Sequence, residues 1–340
     1  MPIGRRAALA PPAALALGAR AAGAAPVEKV QLGLLHTLSP APFYLAEQNG
    51  FWKAEGVDVG FRFFQAAEPI AAAAVAGDID VGVTALTGGF FSLAGKGTMA
   101  VIGGALHEKK GVPLTAVVAS TKAYAAGLTD IARLPGHSFA ITQYGSSFEY
   151  MMARLAQYYH FDPKSVTLRP LQSIGNMVAA VRTGQVDATM AIASIARPLI
   201  DSGAVKLLGW VGDEVPYQIT ALFATRAMID KRAEALHRFC KGYQQGIALY
   251  RKAFLTFGPD GKPVYGPETD AAIKQITQYV FTGDPNAAAK IKSGIGWYDV
   301  GGALDVADVT AQLKWYEAHG MVKGNIDPKA VIDTRFLPTL

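Results

Sequence analysis

The sequence predicts an α/β protein made of two lobes, each a mainly parallel sheet flanked by helices. Strand-like apolar runs alternate with helix-like stretches from residue 27 onward, which is the pattern of a parallel sheet covered by helices. This alternation occurs in two series, and the series share an internal signature. A length of 340 residues, with 51% hydrophobic and 17% charged residues, also fits two tightly packed domains.

The first series predicts the first lobe. Its strands are expected at 29–36, 57–64, 79–84 and 99–105, with intervening helices that begin near Pro42, Glu68 and Leu86. Between residues 57 and 64, apolar side chains alternate with Asp58, Gly60 and Arg62. An alternation with a period of two is typical of a strand whose two faces differ in polarity.

The second series predicts the second lobe. Its strands are expected at 137–142, 166–171, 186–192 and 205–211, with helices at 147–159, 175–183 and 195–202. Both series contain a Gly-x-x-Asp segment between a helix and a strand, ending at Asp80 in the first and at Asp187 in the second. We expect the glycine to end the helix in the left-handed conformation and the aspartate to hydrogen-bond the tight turn that follows.

Two β-rich stretches, 113–120 and 217–225, are predicted to cross between the lobes as two hinge strands. After them the chain is mostly helical, at 226–257, 268–281 and 303–319, and it ends in an extended tail at 331–340. These helices are expected to return to the first lobe. The predicted division is residues 27–118 plus 221–340 for lobe one and residues 119–220 for lobe two.

The first 25 residues are predicted to be a secretory signal peptide. Arg5 and Arg6 precede a run rich in alanine and leucine that ends in a small-residue pattern before Pro26. The run is shorter than the roughly 20 apolar residues that span a bilayer. Export through the twin-arginine route and a merely frayed, alanine-rich terminus remain as alternatives. Removing these residues lowers the formal net charge from +5 to +2, because they contain three arginines and no acidic residue.

Charge and cysteine content exclude several classes of function. The predicted mature part has no basic run with interleaved aromatic residues, so nucleic-acid binding is not expected. Cys240 is the only cysteine, so no internal disulfide forms and no cysteine near residue 25 accepts a lipid anchor. The H-E-x-x-H, G-x-S-x-G and P-loop patterns are also missing from the sequence. These features favour a periplasmic protein that is not lipid-anchored.

Residues 42–59, PFYLAEQNGFWKAEGVDV, resemble the opening motif of the substrate-binding components of nitrate, sulfonate and taurine ABC importers, a family related to thiamine-pyrimidine-precursor binding proteins. Shorter matches lie at 76–82, 134–136, 155–163 and 184–188. The resemblance implies a two-lobed periplasmic-binding-protein fold that clamps a small molecule by hinge closure. It implies delivery to an inner-membrane permease with its ATPase, a monomeric protein, and no enzyme activity, cofactor or metal.

Ligands of open parallel sheets bind beyond the carboxyl ends of the strands, so the loops at those ends supply the candidate contacts. In the first lobe these are His36, Thr37, Ser39, Gln65, Glu68, Thr84 and Thr87. In the second lobe they are Gln143, Tyr144, Ser146, Ser147, Asn176 and Ser194.

Several of these side chains have two interpretations. Ser146 or Ser147 begins a helix, where a hydroxyl either caps the helix or joins the backbone N–H groups in binding an anionic oxygen. Glu68 also opens a helix, where a carboxylate is favourable in itself; as a ligand contact it would select an amino group. For His36 a structural role is favoured, and the same holds for Arg197 beside Pro198.

Ligand and function classes stay open at this stage. A sulfonate, a taurine-like compound, a carboxylate and a pyrimidine precursor all fit loops that offer hydroxyls, amides and one acid. An organic ligand is favoured over a bare inorganic anion, because Arg197 is the only basic residue near these loops. Two alternatives to an importer component are an enzyme on the same fold, of the thiamine-pyrimidine or menaquinone-precursor type, and a sensory solute-binding protein.

Overall fold

The computed structural model describes residues 27–340 together with Met1, so the rest of the predicted signal peptide lies outside the described residues. The strands are β1 (Glu28–Leu35), β2 (Val57–Phe64), β3 (Val81–Ala85), β4 (Met99–Gly104), β5 (Leu106–Glu108), β6 (Thr115–Ser120), β7 (Ser138–Ile141), β8 (Thr167–Pro170), β9 (Ala188–Ile192), β10 (Val205–Trp210), β11 (Tyr217–Gln218), β12 (Thr220–Thr225) and β13 (Trp297–Tyr298).

Helices cover both sheets. The helices are α1 (Ala41–Gln48), α2 (Phe51–Ala54), α3 (Ala67–Val75), α4 (Gly88–Ala94), α5 (Thr121–Ala125), α6 (Ser147–Tyr158), α7 (Ile174–Thr183), α8 (Ala193–Asp201), α9 (Val211–Glu214), α10 (Arg226–Lys231), α11 (Ala233–Phe254), α12 (Pro267–Ile276), α13 (Ala287–Ser293), α14 (Val306–Ala318) and α15 (Pro328–Val331). Short 3-10 turns lie at Ile131–Arg133, Pro163–Ser165 and Val300–Gly302.

The two large sheets have the same strand order. The first runs β2-β1-β3-β12-β4, and the second, taken from its other edge, runs β8-β7-β9-β6-β10. In each sheet the fourth strand is antiparallel to its neighbours, while the first three strands are parallel to one another. β3, β4 and β6 are buried along their whole length. The predicted α/β class with mainly parallel sheets is therefore confirmed.

The antiparallel strand of each sheet is a crossing segment. After β5 the chain enters the second sheet through β6, and after β11 it re-enters the first sheet through β12. The structure thus shows two crossover strands, as the fold class predicted. β6 pairs only with β9 and β10, which favours a lobe boundary before Thr115 rather than at residue 118. The division into lobes otherwise stays a prediction, and we propose boundaries inside the two crossing segments.

One aspartate occupies the same place in each sheet. Asp80 accepts a hydrogen bond from the Gln31 N–H of β1 at 2.9 Å, and Asp187 accepts one from the Ser138 N–H of β7 at 2.8 Å; each pair is 49 residues apart. The second contact of the aspartate differs between the two sheets. Asp80 pairs with Arg232 at 3.0 Å, whereas Asp187 lies 3.6 Å from His137.

The expectation that these aspartates bond the helix-to-strand turn is wrong, and the turn itself explains why. Gly77 and Gly184 end their helices with positive φ values of 78° and 71°, as predicted. The N–H groups that follow, those of Asp78 and Gln185, each bond back to a carbonyl inside the preceding helix at 2.9 Å. Because the turn satisfies its own donors, the aspartates are free to bond the neighbouring strand.

The opening motif at 42–59 forms the local structure that its residues suggest. α1 ends before Gly50, whose φ is 65°, and Gly56, at φ 70°, turns the chain into β2. Between them Trp52 is 1% exposed. Its indole N–H donates to the Phe239 carbonyl of α11 at 2.9 Å, so the motif attaches the first strands to the long carboxy-terminal helix.

Three other predictions required correction. The helix expected at 226–257 is divided into α10 and α11 at Arg232, whose φ is −132°. This residue leaves the helix because its guanidinium bonds Asp80 and Glu28. The tail expected to be extended at 331–340 begins within α15 and then makes only isolated bridges, at Ile332 and Thr339. The prediction also missed the small sheet β11-β5-β13 and helix α13.

Candidate functional site

A cavity lies between the two large sheets, at the edge where their parallel strands end. Its empty space, counted together with the solvent at its open mouth, is about 880 Å³. The half of the molecule that contains the first sheet, together with the small sheet, contributes Leu35, Thr37, Ser39, Pro40, Ala66, Ala67, Glu68, Val83, Thr84, Ala85, Thr87, Leu106, Ile219, Thr220 and Tyr298. The crossing segment and second half contribute Leu114, Thr115, Thr142, Gln143, Ser146, Ser147, Phe148, Met151, Ile174 and Ile192.

Eight of the candidate residues meet in this one cavity. They are Thr37, Ser39, Glu68, Thr84, Thr87, Gln143, Ser146 and Ser147. They come from strand-end loops of both sheets, as the rule for open parallel sheets requires. The roles of these residues as ligand contacts are predictions.

Three buried hydroxyl groups in the cavity have no hydrogen-bond partner within the described residues. Thr84, Thr115 and Ser146 are 2%, 1% and 3% exposed, and the side-chain oxygen of each is unpaired. A buried hydroxyl without a partner costs free energy that proteins usually avoid. Because the three line one cavity and belong to both halves, a ligand or ordered water between the sheets would satisfy them together.

Ser146 was expected either to cap its helix or to contact a ligand. It occupies the N-cap position of α6, yet its side chain makes no capping hydrogen bond. The preceding Gly145, at φ 76°, instead donates its N–H to the Glu149 carboxylate at 2.7 Å. Ser146 therefore does not serve its own helix as a side-chain cap, which leaves its hydroxyl available to the cavity.

Glu68 joins the starts of two helices at the cavity. One of its oxygens accepts a hydrogen bond from the Thr87 hydroxyl at 2.6 Å. Thr87 also caps α4, because its oxygen accepts the N–H of Phe90 at 3.0 Å. The Thr87 hydroxyl proton is thus committed to Glu68, so Thr87 is a helix cap and a support for the carboxylate.

The remaining lining residues form a mostly apolar surface with a few satisfied polar groups. The Tyr298 hydroxyl donates to the Ser39 carbonyl at 2.8 Å. The Thr220 hydroxyl accepts the N–H of Leu106 at 2.8 Å. Aliphatic and aromatic side chains such as Val83, Phe148 and Met151 fill the rest. A largely apolar pocket with few convergent polar groups is the usual form of a small-molecule site.

Five candidate residues lie outside the cavity. His36 bonds the Tyr279 carbonyl at 2.7 Å and, like Ser194, faces a separate surface depression. Tyr144 is 63% exposed and lines a third depression. Gln65 is exposed, and the Asn176 amide donates to the Leu171 carbonyl at 2.9 Å.

Ser194 lies at a contact between the halves. A Cβ added at Gly294, which follows α13, would lie 2.5 Å from the Ser194 Cβ and 2.9 Å from its backbone nitrogen. On another side of the cavity the Gly88 N–H of α4 donates to the Gly145 carbonyl at 2.9 Å. The two halves therefore touch on both sides of the cavity. Arg197, near Ser194 in α8, stacks over Trp210 at 4.8 Å, as its structural interpretation expected.

The sequence prediction missed Thr115 and Thr220, and the sheet topology explains their position. Each begins an antiparallel crossing strand, and each pairs with the last residue of a parallel strand, Thr115 with Ile192 and Thr220 with Ala85. An antiparallel strand begins at the edge where its parallel neighbours end. The strand-end rule, extended to the first residue of a crossing strand, would have found both.

Comparison with known proteins now decides the family. The family model described as NMT1/THI5 like matches residues 38–253. The chain belongs to the NMT1/THI5-like family. A search of curated proteins finds no match.

Solved structures of the same fold agree with the predicted resemblance. The alkanesulfonate-binding protein SsuA from Xanthomonas axonopodis pv. citri bound to MOPS is 18% identical, with 91% of this chain and 99% of that chain covered and a TM-score of 0.69. The periplasmic aliphatic sulphonate-binding SsuA from Escherichia coli is 16% identical, with 92% and 94% covered and a TM-score of 0.67. The periplasmic nitrate-binding NrtA from Synechocystis PCC 6803 is 14% identical, with 89% and 84% covered and a TM-score of 0.67.

At these identities the likeness of the NMT1/THI5-like chain to solved structures establishes the fold. It confirms the resemblance to nitrate and sulfonate binding proteins and the periplasmic-binding-protein architecture. In the described part of the chain, no helix combines the length and apolar character needed to cross a membrane. The same residues contain no group of three or more histidine, cysteine or acidic side chains arranged to hold a metal ion.

Proposed function

We propose that this protein is the solute-binding component of an ABC importer, which clamps a small organic molecule between its two halves and delivers it to an inner-membrane permease with its ATPase. The observation that carries the proposal is the cavity between two sheets of equal topology, lined by residues of both halves that include Thr84 and Ser146, whose buried hydroxyls are unpaired among the described residues. A ligand that touches both halves stabilises their contact, which is the basis of hinge closure.

The contacts around the cavity support a clamping mechanism. The halves are connected by only two crossings, at β6 and at β12, with the small sheet β11-β5-β13 beside them. On the far side they meet through close approaches of Gly88 to Gly145 and of Gly294 to Ser194. The halves also meet where Tyr150 of α6 packs against Trp315 and Tyr316 of α14. Rotation about the crossings would separate these contacts and open the cavity while the strand pairing of each sheet stays intact.

We propose a binding role without catalysis. The cavity contains one carboxylate, Glu68, and within the described lining residues there is no histidine, cysteine or lysine to act with it as a base or nucleophile. The thiol of Cys240 is buried in α11, and burial raises its pKa, which keeps it unreactive. The proposal also includes secretion to the periplasm, the absence of a lipid anchor and a monomeric state.

A ligand screen tests the proposal. Purified protein is heated with millimolar alkanesulfonates, taurine, nitrate, pyrimidines, small organic acids and small amines. We expect at least one compound to raise the melting temperature, because binding to the native state alone stabilises it. A flat response to every compound would contradict a solute-binding role.

Two isosteric variants show whether binding occurs in this cavity. Thr84→Val removes an unpaired hydroxyl, so we expect unchanged or higher stability without ligand and weaker binding with ligand. Thr189→Val is the matched control, since the hydroxyl of Thr189 is fully buried and donates to the Ala140 carbonyl at 3.0 Å. Its loss should lower stability by about 1–3 kcal/mol and leave affinity unchanged. The reverse pattern would place the binding site elsewhere.

A further inference from the structure

We propose that the ligand presents a positively charged amino group, an ammonium or an amidinium, to Glu68. This inference rests on the proposed function and names the class of compound that the cavity accepts. Among the described residues that line the cavity, Glu68 is the only one with a formal charge.

The carboxylate of Glu68 has spare hydrogen-bonding capacity. One oxygen accepts the Thr87 hydroxyl at 2.6 Å. Between residues 27 and 340, no other hydrogen bond and no ion pair reaches this carboxylate. An ionised carboxylate accepts several hydrogen bonds, so Glu68 can bind the N–H groups of a ligand while keeping its contact to Thr87.

A glycine makes room for this arrangement. A Cβ at Gly89, in the first turn of α4, would lie 1.7 Å from the Glu68 Oε1. Any side chain there would push the carboxylate away from its place. The glycine therefore permits the carboxylate to rest against the start of α4, with Thr87 fixing one oxygen and the other oxygen left without a protein donor.

Several of the donors that an anionic ligand would need are already in use. Helices α4, α6 and α7 begin at the cavity, and such helix starts ordinarily attract anions. The N–H groups of Phe90 and Asn176 are capped by the hydroxyls of Thr87 and Ser173. The N–H of Gly145 bonds the Glu149 carboxylate. The start of α6 keeps uncapped N–H groups, but an anion bound there would share the cavity with the negative charge of Glu68.

The rest of the cavity suits an uncharged remainder of the ligand. The unpaired hydroxyls of Thr84, Thr115 and Ser146 can each donate one hydrogen bond and accept others. Aliphatic side chains of Val83 and Leu106 lie among them. The ligand class is therefore a small amine with a neutral polar group and an apolar body, and a sulfonate that lacks an amino group is expected to bind more weakly.

Three compounds of equal chain length test this assignment by calorimetry and thermal shift: 4-amino-1-butanol, 1,4-butanediol and 4-hydroxybutane-1-sulfonate. They share a hydroxyl and a four-carbon body and differ in the charge of one end. We expect the amine to bind at least about tenfold more tightly than the other two, as a charge-assisted hydrogen bond requires. Tighter binding of the sulfonate would overturn the inference.

Glu68→Gln is the decisive variant, because the amide oxygen can still accept the Thr87 hydroxyl while the charge is lost. We expect it to weaken amine binding by about tenfold or more and to leave the melting temperature of the free protein nearly unchanged. Asp201→Asn is the matched control, since Asp201 is exposed at the end of α8 and lines no part of the cavity. Its affinity for the amine should equal that of the wild type.

The possible results separate the two proposals. If the sulfonate or the diol binds wild type as well as the amine does, or if Glu68→Gln leaves amine affinity unchanged, the amino-group assignment fails and the solute-binding function stands. If no compound of this set or of the wider screen binds, the function itself fails, and this inference fails with it.

Discussion

The two halves of the molecule have the same backbone plan but different polar residues. Each sheet contains three parallel strands, an antiparallel crossing strand and a fourth parallel strand, and each has an aspartate that bonds a residue 49 positions earlier. The partners differ. Asp80 is paired with Arg232 and Asp187 with His137. The comparison shows that strand order and the strand-bonding aspartate are duplicated, whereas the charged partner of that aspartate differs between the halves.

The contacts between the halves give the largest expected effect. Gly294→Ala places a methyl group 2.9 Å from the Ser194 backbone nitrogen, where no flexible side chain can move aside. Because the halves can then no longer meet at this point, we expect ligand affinity to fall by about 100-fold or more, on the order of 3 kcal/mol. Calorimetry gives the affinity, and X-ray scattering should show that ligand no longer reduces the radius of gyration.

A glycine variant inside one half is the control for this prediction. Gly175→Ala adds a methyl group whose nearest neighbour is 3.9 Å away, within α7. It should raise stability slightly, since alanine favours a helix, and it should leave compaction by ligand intact. Equal affinity losses in both variants would show that the contact between the halves is not what limits closure.

The two crossings provide the next prediction. Gln218, at the second crossing, is fully buried and its amide donates to the carbonyls of Leu106 and Thr220. Glu108, at the first crossing, is equally buried, but neither of its carboxylate oxygens has a hydrogen-bond partner among the described residues. Burial raises the pKa of Glu108 to about 8, although the nearby Thr115 hydroxyl lowers it somewhat. A neutral carboxyl group is therefore favoured in the folded state.

The sign of the pH effect follows from this raised pKa. Stability from the neutral form of Glu108 is fully present below the unfolded-state pKa of 4.5 and is lost as the pH rises through about 8. Glu108→Gln should be close to wild type near pH 5 and exceed it by on the order of 5 kcal/mol above pH 8. Urea unfolding at both pH values measures the difference. A constant difference between the two proteins would contradict the assignment.

The duplicated aspartates predict a cost in both halves. Asp80→Ala and Asp187→Ala each leave a strand N–H without its acceptor, at Gln31 and Ser138. We expect each variant to lose at least about 1–3 kcal/mol of unfolding free energy at pH 7. Chemical denaturation measures both. A neutral effect at one position would show that the duplication is geometric only.

The smallest expected effect distinguishes a ligand contact from a helix cap. Ser146→Ala should change the unfolding free energy by less than about 0.5 kcal/mol, because the Ser146 side chain makes no capping bond. Ser173→Ala should cost about 1 kcal/mol, since Ser173 caps α7 through the Asn176 N–H at 3.1 Å. Ser146→Ala alone is expected to weaken ligand binding. Thermal unfolding with and without ligand separates the two roles, and equal stability losses would remove the distinction.

Much of this architecture was predictable because local patterns determine it. The alternation between residues 57 and 64 predicted a strand that the structure places at Val57–Phe64. The repeated Gly-x-x-Asp segments predicted two similar halves, although the aspartates bond a distant strand. That bond could not be predicted from local sequence, because its donors lie 49 residues away. The divided helix at Arg232 was missed for the same reason, since the ion pairs of Arg232 are long-range.

The cavity was predictable to the extent that it is built from strand ends. Glu68 and Ser146 lie where the rule for parallel sheets places them. His36 and Ser194 also lie at strand ends, yet they face a depression outside the cavity. Their side-chain direction depends on how the two halves meet, which no single loop encodes. Thr115 was missed because it starts a strand instead of ending one.

Hydrogen exchange of the protein with and without the tightest compound from the ligand screen is the most direct test of the account. The account predicts simultaneous protection of 84–90 in the first half, and of 115–118 and 145–150 in the second, because one ligand bridges the two sheets. Protection confined to one half, or protection absent from all three segments, would contradict binding between the halves.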